Sequence, residues 1–171
     1  MKKILIFIGC VLIINISAQT NLAKQQAMYI YNFTKLIDYP DENKSDNFII
    51  GIVGASSTFE DIKSLFSGKT LGNGQKFIIQ KFKSVTEITN CHILFITYTN
   101  SKELTNILTK VQNSNTLIIT EQSGAINKGS AINFVVINEK LKFELKTENA
   151  INHQVKVSSK LNELSYEQSL N

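Results

Sequence analysis

The stretch CHILFITYTNSKELTNILTKVQNSNTLIIT, residues 91–120, sets two short apolar runs on either side of an amphipathic segment. HILFIT and NTLIIT are unbroken by polar alternation, as strands buried on both faces are. Between them, Leu104, Ile107, Leu108 and Val111 of NSKELTNILTKVQ fall on one helical stripe. The same alternation continues in both directions. NFIIGIVG (47–54) is a further apolar strand ending in glycine, and STFEDIKSLFSG (57–68) is a helix with a Ser/Thr start and Gly68 as its stop. KTLGNGQKFIIQKF (69–82) holds a Gly-Asn-Gly turn and a second strand, and VTEIT (85–89) is a short helical link. SAINFVVINEKLKFELK (130–146) reads as two strands around an Asn138-Glu139 turn, followed by a helix over Glu148 to His153 and the closing segment VKVSSKLNEL. Four short apolar strands separated by helices predict a three-layer α/β sandwich of flavodoxin-like or binding-protein-like order. Its central sheet is mainly parallel, with an antiparallel hairpin at one edge.

Residues 1–18 precede this pattern. Two lysines, an apolar run from Ile4 to Ile16 and the small residues ISA have the order of a cleaved secretory signal, with cleavage expected after Ala18. About thirteen apolar residues fall short of the roughly 20 that span a bilayer. Cys10 sits within the run rather than at its end, against a lipoprotein signal. The remaining 153 residues, 19–171, form one domain with room for a proper core, since no repeat, low-complexity tract or linker divides them. They carry 16 lysines, no arginine and 14 acids, a balance that makes no electrostatic case for nucleic acid. Cys91 is then the one cysteine left, so an internal disulfide cannot form, and its apolar strand predicts a buried structural thiol.

Ligands of open α/β sheets sit beyond the carboxyl ends of the strands. Here those ends supply Ser56, Ser57, Thr97, Tyr98 and Ser123, a candidate polar crevice for a small molecule, although helix capping also accounts for serine at such positions. GASSTF lacks the spacing of a dinucleotide fingerprint or a Walker loop, so no nucleotide cofactor is expected. His92 and His153 belong to no metal or nucleophile motif, and His92 and Cys91 point to opposite faces of one strand. The acids, Glu144 and Glu148 among them, read as solvated charges at helix starts and turns. Neither catalysis nor a metal site is expected.

AMYIYNFTKLIDYP (27–40) is more apolar than one buried face requires. At 100° per residue Tyr29, Ile30, Phe33, Leu36 and Ile37 share a core face, while Met28, Tyr31 and Tyr39 gather around Lys35 on the other side. Methionine, tyrosine and lysine at that spacing form either an interface patch or a second packed face.

In YNFTKLIDYP (31–40), IGIVG (50–54), GKTLGNGQ (68–75), CHILFIT (91–97), INFVVINEKLKFEL (132–145) and VKVSSKL (155–161), taken in order, the chain resembles the YfiR family of small secreted bacterial proteins. The resemblance implies a periplasmic, non-catalytic repressor, without cofactor, that binds the extracytoplasmic part of a membrane-bound receptor. A diguanylate cyclase making cyclic di-GMP or a sensor kinase would be that partner, with a homodimer as a further assembly. Carried over residue by residue, it points to Tyr31, Asn32 and Lys35, to Asn133, and to Ser158, Ser159 and Lys160 as contact residues. Asn133 and the serines can equally tie the last segment to the sheet. Two departures stand out: Cys91 has no partner for the disulfide control that the resemblance suggests, and Tyr39 stands where the family often has tryptophan.

Overall fold

A computed structural model describes residues 22–41, 47–54 and 56–166 of the chain. The expected signal segment and Cys10 lie outside the described residues. Helix α1 covers 22–33 and is followed by a turn at 34–36. The succeeding elements are β1 (Ile37–Asp38), β2 (Phe48–Val53), α2 (Ser56–Phe66), β3 (Phe77–Phe82), β4 (Ile93–Ile96), α3 (Leu104–Val111) and β5 (Leu117–Thr120). The chain then forms β6 (Ile132–Ile137), β7 (Lys140–Leu145), α4 (Thr147–Ile151), β8 (Lys156–Val157) and α5 (Ser159–Leu164).

Six strands form the central sheet in the order β3-β2-β4-β5-β6-β7. The first five are parallel, and their order is the flavodoxin-like one. β7 joins antiparallel through a turn in which Asn138 and Glu139 both have positive φ, 48° and 62°, the backbone of a two-residue hairpin turn. The sandwich with its edge hairpin is therefore as the sequence predicts.

Side chains alternate across this sheet. Ile50 and Ile52 of β2, Ile93 and Phe95 of β4, Leu117 and Ile119 of β5, and Ile132 and Phe134 of β6 pack with Ile30 and Phe33 of α1, Ile62 and Phe66 of α2, and Leu161 of α5. The opposite side chains, Val53, Leu94, Ile96 and Ile118, pack under Leu104, Ile107 and Val111 of α3. Both faces of β4 and β5 are buried, which is why their sequences show no polar alternation. Gly51, in the middle of β2, lacks a side chain for a steric reason. A Cβ there would lie 2.6 Å from the Phe82 ring and 3.2 Å from Cys91 Sγ.

The opening segment departs from expectation at its end. α1 stops at residue 33, and beyond it the period is that of a strand: Ile37 and Asp38 pair antiparallel with Val157 and Lys156 of β8. Tyr39 precedes Pro40, a position that disfavours helical backbone. It therefore does not join an outer helical face. Its ring is buried against Phe48 and His92, and its hydroxyl donates to the His92 carbonyl at 2.5 Å. The α1 residues expected to face the core do so, with Tyr29 against Phe33, Phe134 and Phe143.

Candidate functional site

Strand order reverses between β2 and β4, where a ligand crevice is expected. Gly54 and Thr97 approach closely there. Gly54 follows β2 with φ +134°, and a Cβ on it would fall 1.7 Å from Thr97 Oγ1. Thr97 is buried and shares a hydrogen bond with Thr99 at 3.0 Å. Of the crevice residues expected from the sequence, Ser57 is exposed on α2, Ser56 opens that helix with its side chain outside the described residues, and Tyr98 is exposed. Thr97, by contrast, is buried with its hydroxyl packed on Gly54.

A cavity of about 920 Å³ lies beyond the end of β5 and alongside β6, and Ser123 alone of the expected crevice residues lines it. It is walled by Leu22 and Gln26 of α1, Glu121 and Ser123 after β5, and Val135, Ile137 and Glu144 of the hairpin. A polar network holds its carboxylates. Glu121 accepts from buried Gln26 Nε2 at 2.5 Å and from the Tyr98 backbone N–H at 2.6 Å. Asn133, wholly buried, accepts at Oδ1 from Thr120 Oγ1 (2.8 Å) and from the Gln122 N–H (2.9 Å), and donates through Nδ2 to Glu144 (2.8 Å). Asn133 thus lies behind the cavity and is not a surface contact residue; buried amides of this kind need such partners. Glu144 is a half-buried strand residue, not a solvated turn charge. Sequence reasoning missed Gln26, Glu121 and the setting of Glu144. The signal was present: once 138–139 is the turn, Asn133 and Glu144 are opposed on one face.

The remaining sequence-derived residues gather elsewhere. β1 and β8 pair, and the Ser158 N–H donates to the Leu36 carbonyl at 2.9 Å, so YNFTKLIDYP and VSSKL meet although more than a hundred residues separate them. Met28, Asn32 and Lys35 of α1 and Ser159 and Lys160 of α5 are exposed. Tyr31 is half-buried, edge-on to Phe66 and Phe77, with Lys35 Nζ 4.1 Å and Lys69 Nζ 5.3 Å from its ring centroid. Ser158 caps α5, its Oγ accepting from the Leu161 N–H at 3.2 Å. The tyrosine and this serine are therefore partly structural, whereas Asn32, Lys35, Ser159 and Lys160 are exposed, Lys35 over the Tyr31 ring and Lys160 paired with Glu163 at 3.2 Å.

The titratable groups with nucleophilic or acid-base potential are occupied internally. Burial pushes the Cys91 thiol up to about 12, and its strand base is closed by Gly51 and Thr116. Burial, and secondarily Cys91, raises the Tyr39 hydroxyl well above its usual value. His92 Nδ1 accepts from the Ile49 N–H at 3.0 Å. His153 is buried rather than exposed, 3.2 Å from the Ser114 carbonyl through Nδ1. Among the described residues no group of three or more His, Cys, Asp or Glu could hold a metal ion, and no helix is long and apolar enough to cross a membrane.

A family model described as YfiR/HmsC-like matches residues 23–166. The chain belongs to the YfiR/HmsC-like family. Comparison with curated proteins gives no match. Membership agrees with the site chemistry, because proteins of this family are regulatory rather than catalytic. The match runs from α1 to the residues just after α5, so it includes both segments that the β1–β8 pair joins.

Proposed function

We propose that this chain is a periplasmic regulatory protein that binds the extracytoplasmic part of a membrane-bound signalling enzyme, of the diguanylate cyclase class, and holds that enzyme inactive. The observation that supports this reading is the β1–β8 pairing, which brings the backbones of the two terminal family segments together. Asn32 and Lys35 at the end of α1 stand beside the segment that leads into Ser159 and Lys160. Lysines and an asparagine around a half-buried tyrosine suit a polar-rimmed interface of standard size, about 800 Å² per partner.

The mechanism needs no chemistry from the regulator. A protein that binds the inactive state of a receptor better than the active state shifts the population by that difference. A hundredfold preference corresponds to about 2.7 kcal/mol. The pairing of β1 with β8 fixes the two halves of the surface relative to each other before binding, which reduces the ordering cost. Cys91 has no disulfide partner among the described residues, so release of the partner in this protein would be governed by something other than a thiol pair.

In-cell photo-crosslinking tests the surface. A photoreactive residue at Asn32 or Lys160 is expected to capture a membrane signalling enzyme, and one at exposed Thr105 on α3 is not. Equal capture from all three positions, or capture from Thr105 alone, would remove the basis for this reading.

A further inference from the structure

The cavity beyond β5 is the open side of a strand. β5 pairs with β6 at Ile119–Ile132 and Thr120–Asn133 and then ends, whereas β6 continues through Ile137, paired on its other side with β7 throughout. The β5 chain is turned away at Gln122, whose N–H is taken by the Asn133 side chain. Among the described residues, 135–137 therefore have a strand neighbour on one side only, and they line the cavity together with Phe134.

The ladder determines which backbone groups face it. In an antiparallel pair, residues alternate between pairs that exchange both hydrogen bonds and pairs that exchange none. The Lys146 N–H donates to the Ala131 carbonyl, and the Tyr166 N–H donates to the Phe143 carbonyl from outside the hairpin. By alternation Asn133, Val135 and Ile137 bond to β7; the Thr120–Asn133 pairing of the parallel ladder takes the Phe134 N–H to the Thr120 carbonyl, which leaves the Phe134 C=O and the N–H and C=O of Val136 toward the cavity. Val136 is 56 % exposed. An unpaired edge of this kind is a template for another strand.

The charge of the walls selects the occupant. Glu121 and Glu144 line the groove, and among the described residues lining it there is no lysine, although the chain has 18. Glu144 is held by Asn133 through Oε2, and Oε1 accepts no bond within the described residues. Val135, Ile137 and Ile126 supply apolar wall.

We propose that this groove binds an extended basic segment of a partner protein by strand addition to β6, with backbone bonds at the Phe134 carbonyl and at the N–H and C=O of Val136, and a cationic side chain at Glu144. The identity of the partner rests on the regulatory reading above, but the peptide measurement does not, so the two can fail separately.

Three synthetic probes of equal length test it by fluorescence polarisation and by amide chemical shifts. These are a hexapeptide alternating lysine and valine, the same peptide with glutamate for lysine, and the lysine peptide N-methylated at alternate residues. Binding is expected for the first alone, with a shift at the Val136 amide. Glu144→Gln, which keeps an acceptor for Asn133, should weaken it about tenfold. Val136→Pro removes an N–H that β7 does not use and should abolish it. Equal binding of the N-methylated or glutamate peptide to the wild-type protein, or an unmoved amide at 136, would overturn the proposal without recourse to any variant. Self-association lost on Val136→Pro, with no peptide bound, would assign the edge to a second copy and likewise overturn it.

Discussion

At the residue level, Gly54 and Thr97 approach closely where strand order reverses. The hydroxyl of Thr97 occupies the volume that any side chain at 54 would need, and the backbone of Gly54 is in the region that favours glycine. Gly54→Ala is expected to destabilise the protein by more than about 2 kcal/mol in denaturant unfolding, from backbone strain and the clash together. Thr97→Ala should relieve only the second part. Cys91 and Tyr39 give a pH signature. Both are raised by burial, so the folded chain keeps its protons where the unfolded chain has lost them. The stability they contribute is complete below the ordinary thiol value of 9.0 and falls as pH rises from there toward about 12. Each group accounts for at most about 1.4 kcal/mol per pH unit. Unfolding curves between pH 7 and 11 should show this fall, with Cys91→Ala flattening its first part, and the native thiol should resist alkylation at pH 8. Rapid labelling without unfolding would contradict a thiol buried in this way.

Elements are held together by a few polar contacts that join distant parts of the chain. Asn133 ties the end of β5 to β6 and β7, so Asn133→Leu strands the Gln122 N–H and an oxygen of Glu144. A loss of about 2–4 kcal/mol is expected, against less than about 1 kcal/mol for Glu144→Gln, which retains an acceptor. Ser158→Ala removes the α5 cap and should cost about 1 kcal/mol. These contacts also mark the limit of what the sequence discloses. The buried strands β2, β4 and β5 are legible because burial on both faces forbids polar residues over four to six positions. The end of α1 is not, because KLIDYP satisfies a helical stripe as readily as a strand, and the partner that decides the matter, Lys156–Val157, lies far along the chain. Glu144 resembled a solvated charge for the same reason: its setting depends on its partner across the hairpin.

For the whole molecule, the proposed surface depends on one pair of two-residue strands, β1 and β8. The six-stranded sheet carries apolar layers on both faces. β1 and β8 bring the first and last family segments together on its outside. The chemistry available there is recognition: ammonium groups at Lys35 and Lys160, an amide at Asn32 and a hydroxyl at Ser159, each exposed. Exposed charges of this kind contribute little to stability. Lys35→Glu with Lys160→Glu should therefore leave the unfolding midpoint within about 0.5 kcal/mol of the parent while reversing the charge presented to a partner. That separation of stability from binding permits a direct test. Cyclic di-GMP is measured in cells that lack the chromosomal gene and carry the wild-type protein, the doubly reversed variant, or no copy. The wild-type protein is expected to lower the nucleotide relative to the empty strain, and the variant, present at the same level, is expected not to. A variant that lowers it as fully as the wild type, or a wild-type protein that leaves it unchanged, would contradict regulation through this surface.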